Sequence, residues 1–430
     1  MHRDGEFVMR SVGERGVRVV RLWFVDVLGL PKSFSIPVSE LESALEEGVS
    51  LDGSSLEGSA RGAERDVIAH PDPQTFQVLP WSVESGVARM FCDVCQPDGA
   101  PFPGDSREAL RRVMARAGEL GLSLQVGPEI EFFLFAEPVR GEEPRPLDEG
   151  AYFDLTPLDV FSGFRGRTMD YLERMSIPVK ASHHEVGASQ HELDLLHTDA
   201  MSMAEAMVTF RLAVKEVARE LGLHATFMPK PLDDQAGSGL HLHLSLFGAQ
   251  GNAFHDPSSE QQLSELGRRF LAGLVHHADE ICAVTNQWIN SYARLRTGFE
   301  APAGVGWARH GAPLVRVPSN RPGKEAAARI ELRLPDPACN PFLAFALVLA
   351  AGLRGVEGEY ELPPETGDEG MRSLPGDLRE ALDRFEASEL VRDTLDERLR
   401  EWFLRNKRAE WDHHQATVSG AERDRLLRAL

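Results

Sequence analysis

Three short stretches of this chain set ionisable side chains at alternate positions among apolar ones, the pattern that puts them together on one face of a strand. Residues 127–135, Gly-Pro-Glu-Ile-Glu-Phe-Phe-Leu-Phe, place Glu129 and Glu131 two apart. Residues 237–246 repeat the device with His241 and His243 between Leu240, Leu242 and Leu244, and residues 328–334 do so with Arg329, Glu331 and Arg333. A further stretch, residues 183–192, supplies Glu185 and Glu192 beside histidines and small residues and reads as a loop. Bare charges on apolar strands cost several kcal/mol each when buried, so these side chains must line a polar funnel with bound ions. Glu129, Glu131, Glu185, Glu192 and Glu331 with His241 form an oxygen-rich set with one nitrogen, suited to Mg²⁺ or Mn²⁺ rather than to a thiolate-type zinc site. Their negative charge calls for about two divalent ions.

Taken alone, each pair is an ordinary solvated strand face; their recurrence along one chain is what points to chemistry. Competing motifs fall away. Cys92 and Cys95 form a single Cys-x-x-Cys without a second pair and read as core packing. The His-x-His pair sits past the middle of the chain, where an amidohydrolase barrel would not place it. Neither a P-loop nor a strand-borne Gly-x-Gly-x-x-Gly occurs, so a nucleotide would be held by metal and by arginines, with Arg294, Arg316, Arg329 and Arg333 available.

The elements that must position these groups follow from periodicity. Within the first hundred residues the pattern is strands and turns: 17–27 is a β-branched run, 29–31 a turn, 33–36 its hairpin partner, and 39–47 a short helix. A Pro-Gly-rich segment, 97–104, marks the expected boundary between a small β-rich domain, 1–104, and a larger α/β domain, 105–430. Helices are expected where Leu110, Val113, Met114 and Ala117 share a face, over 200–221, over the apolar stretch 341–353, and in the tail at Leu378, Leu382 and Phe385 and at Leu395, Leu399 and Trp402. The fold class is α+β.

Composition bounds the function. The 430 residues carry 67 Asp and Glu against 46 Lys and Arg, a formal net charge of −21, so the surface repels phosphate backbones and anionic lipid. Nucleic acid and membrane partners are not expected. No uncharged apolar run is long enough for a membrane span. Four cysteines cannot make a disulfide framework, and together with a charged first twenty residues they point to the cytoplasm.

In order along the chain, Asp52-Gly53-Ser54-Ser55, Gly127-Pro128-Glu129-Ile130-Glu131-Phe132, His183-His184-Glu185 with Gln190-His191-Glu192, Pro229-Lys230-Pro231 with the His241 strand, Asn290-Ser291-Tyr292 with Arg294, and Arg329-Ile330-Glu331-Leu332-Arg333 closely resemble the type I glutamine synthetase family. The resemblance covers nearly the whole chain. It implies an N-terminal β-grasp domain, a larger catalytic domain, and a homo-oligomer of two stacked hexameric rings, a dodecamer. It implies ATP and glutamate as substrates, with ammonia or an amine as nucleophile. It also assigns Glu131, Glu185 and Glu192 to one metal, and Glu129, His241 and Glu331 to the other. Arg294, Arg333 and the backbone at Gly237 match glutamate-holding positions, and Arg316, Arg329 and His243 match phosphate-contacting ones. Ser245 and His197 match positions around adenine, Asp52 and Tyr152 match the ammonium site, and Glu300 matches the flap that closes it. In the family's assembly Asp52 serves a neighbouring subunit.

The implied chemistry accounts for these parts. A carboxylate is a poor electrophile, so the glutamate γ-carboxylate first takes the γ-phosphoryl group of ATP, and an amine then displaces phosphate from the acyl phosphate. Metals and arginines supply charge neutralisation and alignment, while Asp52 and Glu300 handle protons.

Two positions depart from the family pattern. Ala236 stands where the family has Asn, and Gly311 stands where it has a phosphate-contacting Arg. Tyr360 lies in a shortened segment without the family's adenylylation motif. The expected activity is glutamate–ammonia ligation. One alternative is a polyamine or alkylamine nucleophile, which needs room and a negative rim beside Asp52 and Glu57. The other is an impaired paralogue that assembles or regulates without turnover.

Overall fold

The computed structural model describes residues 3–59, 62–137, 143–155, 159, 161–259, 263–297, 301–302, 304–320, 323–324, 327–366, 372–427 and 429. Two sheets organise the chain. The first has six strands: Pro31–Pro37, Val19–Val25, Val87–Cys95, Asp66–Pro71 and Val49–Asp52 lie side by side in that order, and Gln77–Val78 pairs with Val87–Cys95. Val19–Val25 runs antiparallel to its hairpin partner and parallel to Val87–Cys95, a mixed sheet that fits a β-grasp.

The region is not strands and turns alone, because it opens with the helix Arg3–Glu14. Val8 and Val12, four apart, are buried together with Leu41 and Ala44 of the helix Leu41–Glu47 against Val20, Leu22 and Met90 of the sheet. Asp4 and Glu6 in the first turn of Arg3–Glu14 favour its N-terminus. The charges around the two valines, Arg3, Asp4, Glu6, Arg10 and Glu14, mask this stripe in the sequence. Cys92 is buried in the same cluster, as core packing requires.

The second sheet has ten strands, seven of them in the order Trp307–Ala308, Val315–Arg316, Ile330–Leu332, Leu240–Gly248, Ser123–Ala136, Gln190–Leu195 and Val179–His184. All pairings among these seven are antiparallel except the first. Residues 183–192 are therefore not a loop but the facing ends of a hairpin, with 185–189 as its turn. The expected strand 328–334 shortens to three residues, Ile330–Leu332.

Helices Ser106–Glu119, Ala200–Glu220, Glu265–Thr285 and Pro341–Glu357 contribute to one hydrophobic core shared with Trp23, Phe24 and Phe91 of the smaller sheet and with Val27 in the turn that follows its strand Val19–Val25. Pro341–Glu357 is apolar nearly all round, and fourteen of its residues are buried. It starts where Asn340 accepts from the amides of Phe342 and Leu343, with Pro341 at the first helical position. The same Asn340 donates to Val27 O and to Ser106 Oγ, tying the smaller sheet to the larger unit. Among the described residues no helix is long and apolar enough to cross a membrane.

Candidate active site

Strand register assembles the site. Ser123–Ala136 lies between Leu240–Gly248 and Gln190–Leu195, so Glu129 stands opposite His241 on one side and Asp194 on the other, and Glu131 stands opposite Glu192. One strand further out on each side, His243 faces Glu331 and His183 faces Glu192. Residues from five strands thus share one face; apart from the hairpin that pairs His183 with Glu192, the facing strands are far apart in sequence.

Two groups of metal-type donors result, each with its ligand atoms within 4.8 Å of one another: Glu129, His241 and Glu331, and His183, Glu185 and Glu192. In the first group, Glu129 Oε2 lies 3.3 Å from His241 Nδ1, and Glu129 Oε1 lies 2.7 Å from His243 Nε2. Arg329 Nε donates to His243 Nδ1 at 3.2 Å. A guanidinium cannot accept, so His243 carries its proton on Nε2 and passes it toward Glu129. Glu331, fully buried, accepts from Arg333 Nη1 at 2.9 Å and pairs with Arg316.

In the second group His183 Nε2 lies 3.2 Å from Glu192 Oε1, and His183 Nδ1 lies 3.5 Å from Glu185 Oε1. Glu131 sits between the groups, its Oε2 accepting from Gln190 Nε2 at 2.8 Å and from the Gly239 amide at 2.9 Å. The sequence pattern passed over His183; its alternation with Glu185, read as loop, was the available signal.

Electrostatics divides the carboxylates. Burial works to raise Glu129, but the hydrogen bonds from His241 and His243 outweigh it and hold the carboxyl well below the usual range. Glu331 is lowered too, because His241, His243, Arg316 and Arg333 together overcome its burial. Glu192 goes the other way: burial first, then Glu131, Glu185 and Glu129, push it well above a normal carboxyl. Such a side chain wants a cation.

The residues fit a divalent pair on two further observations. His241 Nε2 is buried with no hydrogen-bond partner among the described residues. A Cβ on Gly239 would stand 3.2 Å from that same Nε2, 3.2 Å from Glu131 Oε1 and 3.0 Å from Arg294 Nη2, so only a glycine keeps the space on which an acid, an imidazole and a guanidinium converge.

The other expected residues are placed as follows. Arg294 is buried and donates to the carbonyls of Leu334 and Arg333, at 3.1 and 3.2 Å. Gly237 accepts from Gln190 at 3.1 Å through its carbonyl, and a Cβ there would stand 2.5 Å from Pro229 O. His197 and Ser245 line a cavity of about 230 Å³ together with Gly127, Glu129, Phe247, Lys180, His243 and Arg329. Lys180, which pairs with Asp194 at 3.3 Å, was not expected there. The exposed Tyr152 packs its ring 5.5 Å from that of His183.

Asp52 lies elsewhere, at the end of a strand in the six-stranded sheet, where its carboxylate accepts from the Ser54 and Arg65 amides at 3.0 and 3.1 Å. Glu300 falls outside the described residues. Ala236 is buried, and Gly311 is exposed with φ +76° and nothing within 4 Å of where a Cβ would be.

Residues 16–97 match the family model described as glutamine synthetase, beta-Grasp domain, and residues 103–426 match glutamine synthetase, catalytic domain. The chain is 51% identical to a glutamine synthetase of Mycobacterium tuberculosis over 98% of each chain. It is 43% identical to that of Methanosarcina mazei over 99% of this chain and 98% of the other. Among solved structures, apo GmaS without ligand superposes with a TM-score of 0.88 at 31% identity, covering 97% of this chain and 99% of that one. A GmaS/ADP complex gives 0.87 at 30%, covering 98% and 99%. With its β-grasp sheet, its ten-stranded sheet and these matches along nearly its full length, the chain belongs to the glutamine synthetase family.

Proposed function

We propose that this chain is an ATP-dependent glutamate–ammonia ligase that forms glutamine through γ-glutamyl phosphate, using two Mg²⁺ or Mn²⁺ ions per centre. The observation that carries the reading is the pair of donor groups, Glu129–His241–Glu331 and His183–Glu185–Glu192, set on either side of Glu131 with Arg316, Arg329 and Arg333 at their edge. Divalent ions held there would neutralise the transferring phosphoryl group and align its oxygens.

The chain's own groups do the rest. His197 and Ser245 take the base end of the nucleotide in their cavity, and Arg329 and His243 stand where that cavity meets Glu129. A relative of 30% identity is solved as an ADP complex, which supports an adenine nucleotide as a ligand of this chain. Arg316 and Arg333 exchange Glu331 for phosphate and glutamate oxygens, which requires little motion because both guanidinium groups already face the centre. Arg294 and the Gly237 backbone hold the amino acid. Tyr152, beside His183, and Asp52 bind ammonium, and Asp52 and Glu300 take its proton.

As the resemblance implies, residues 1–104 act as a domain whose Asp52 serves a neighbouring subunit in an assembly of two stacked hexameric rings; the position of Asp52 on the smaller sheet, apart from the donor groups, fits that reading. The cysteines Cys92, Cys95, Cys282 and Cys339 are free thiols, which supports a reducing compartment, the cytoplasm, as part of this reading. A polyamine reading fares less well because Glu57, expected to lend a negative rim, is buried and paired with Arg405 at 2.6 Å.

Metal-stripped full-length protein is to be given glutamate, ATP, Mg²⁺ or Mn²⁺, and either ammonia or a panel of alkylamines and polyamines, and ADP release measured. Ammonia is expected to support release. Release with larger amines alone, or none with any amine, would overturn the assignment.

A further inference from the structure

Far from the catalytic groups in sequence, the helix Glu265–Thr285 carries a third cluster of metal-type donors, His276, His277 and Glu280, whose ligand atoms also lie within 4.8 Å of one another. We propose that this cluster is a second, non-catalytic metal site, selective for a borderline ion such as Zn²⁺ and completed by water.

The geometry has four parts. His276 and Glu280 are four apart and share a helix face. His277 Nδ1 lies 2.9 Å from Glu280 Oε1, while its other nitrogen, Nε2, lies 3.4 Å from the Tyr360 hydroxyl. The Tyr360 ring leans on His276 with centroids 5.0 Å apart, and the two imidazoles are 4.6 Å apart. Ser388 donates to Glu280 Oε2 and so aims Oε1 at the histidines.

This is how zinc ligands are commonly held, with the far nitrogen of an imidazole and the second oxygen of a carboxylate each fixed by another group. His277 Nδ1 and Glu280 Oε1 share a proton at hydrogen-bonding distance, and an ion would take that proton's place while Tyr360 accepts from the ring's other nitrogen, Nε2. Ligands about 2.0–2.2 Å from a tetrahedral ion stand about 3.4 Å apart, so small rotamer changes open the required gap. His276 is exposed and gives an ion entry from solvent.

Donor type separates this site from the catalytic one. Two imidazoles and a single carboxylate favour Zn²⁺, Ni²⁺ or Cu²⁺, whereas the oxygen-rich centre favours Mg²⁺ or Mn²⁺. The site has a structural use, since Tyr360 begins a segment that braces the edge strand Trp307–Ala308 of the ten-stranded sheet. Pro363 O accepts from Trp307 Nε1 at 2.8 Å, and Glu365 Oε1 accepts from the Arg309 amide at 2.8 Å.

The probe is zinc chloride added to full-length, chelator-stripped protein in excess Mg²⁺, with bound zinc counted after equilibrium dialysis and Tm measured in parallel. His276→Ala is exposed enough to leave folding and Mg²⁺-supported ADP release unchanged, and it is expected to bind one zinc per chain fewer than the unsubstituted protein. His241→Ala, which disables a catalytic donor, should keep that zinc. Zinc should raise Tm in the His241→Ala protein and not in the His276→Ala protein. Equal zinc content in the unsubstituted and His276→Ala proteins would overturn the proposal.

Discussion

Glu131 and Glu192 stand directly opposite each other on neighbouring antiparallel strands. Facing carboxylates destabilise a sheet, and here Glu185 and Glu129 add to the field on Glu192. Glu192→Gln is therefore expected to raise the stability of the metal-free protein by about 0.5–1 kcal/mol, and to shrink the further stabilisation by Mg²⁺ or Mn²⁺. Denaturant unfolding in chelator and then in metal measures both; a loss of metal-free stability would contradict the account.

Asn340 should be the most sensitive single link between the two sheets. Its side chain caps the buried helix Pro341–Glu357 and also reaches Val27 O and Ser106 Oγ, at 3.1 and 3.0 Å. Asn340→Ala removes the cap and leaves buried partners unsatisfied, a cost of roughly 3 kcal/mol. Asn340→Ser, which restores a capping oxygen, should recover part of it. Equal unfolding midpoints for the native and Ala proteins would refute this.

A pH dependence follows from Asp105, the N-cap of Ser106–Glu119. Burial pushes its carboxyl up to about 6, although Arg107 and the Val94 amide pull the other way. An unfolded Asp titrates near 3.9, so the stability tied to this group is whole below about pH 4 and is lost as pH rises through about 6. Asp105→Asn keeps a capping oxygen but cannot ionise. Its stability should vary less between pH 4 and pH 6 than that of the native protein, and parallel curves would exclude Asp105 as the source.

Gly311 offers a test of the missing arginine. Its φ of +76° disfavours a side chain, by about 1–2 kcal/mol, although the space beyond is open. Gly311→Arg is expected to fold with that loss of stability and to show no rise in the rate of ADP release, since Arg316 and Arg329 already stand at the centre. A large gain in rate would mean that the native site lacks a cation it needs.

Much of the site was legible because a strand has period two. Alternation alone tells that Glu129 and Glu131, His241 and His243, and Arg329, Glu331 and Arg333 leave common faces, and the mix of carboxylate and imidazole restricts the ions. Ordered motifs then identified the family. The helix Arg3–Glu14 was not legible, since its apolar stripe of Val8 and Val12 is short and crowded by charge. Nor was His183, because whether residues near a turn continue a hairpin depends on the strand that pairs with them.

The sequence by itself determined the face on which each ionisable group lies and the kinds of atom it offers. Only the tertiary structure decided which groups meet: Glu129 between His241 and Asp194, Glu131 against Glu192, and His183 beside Glu192. The physical reason is register. Sliding a strand by one residue turns every side chain to the opposite face, and what prevents the slide is the packing of each strand's other, apolar face against helices from distant parts of the chain.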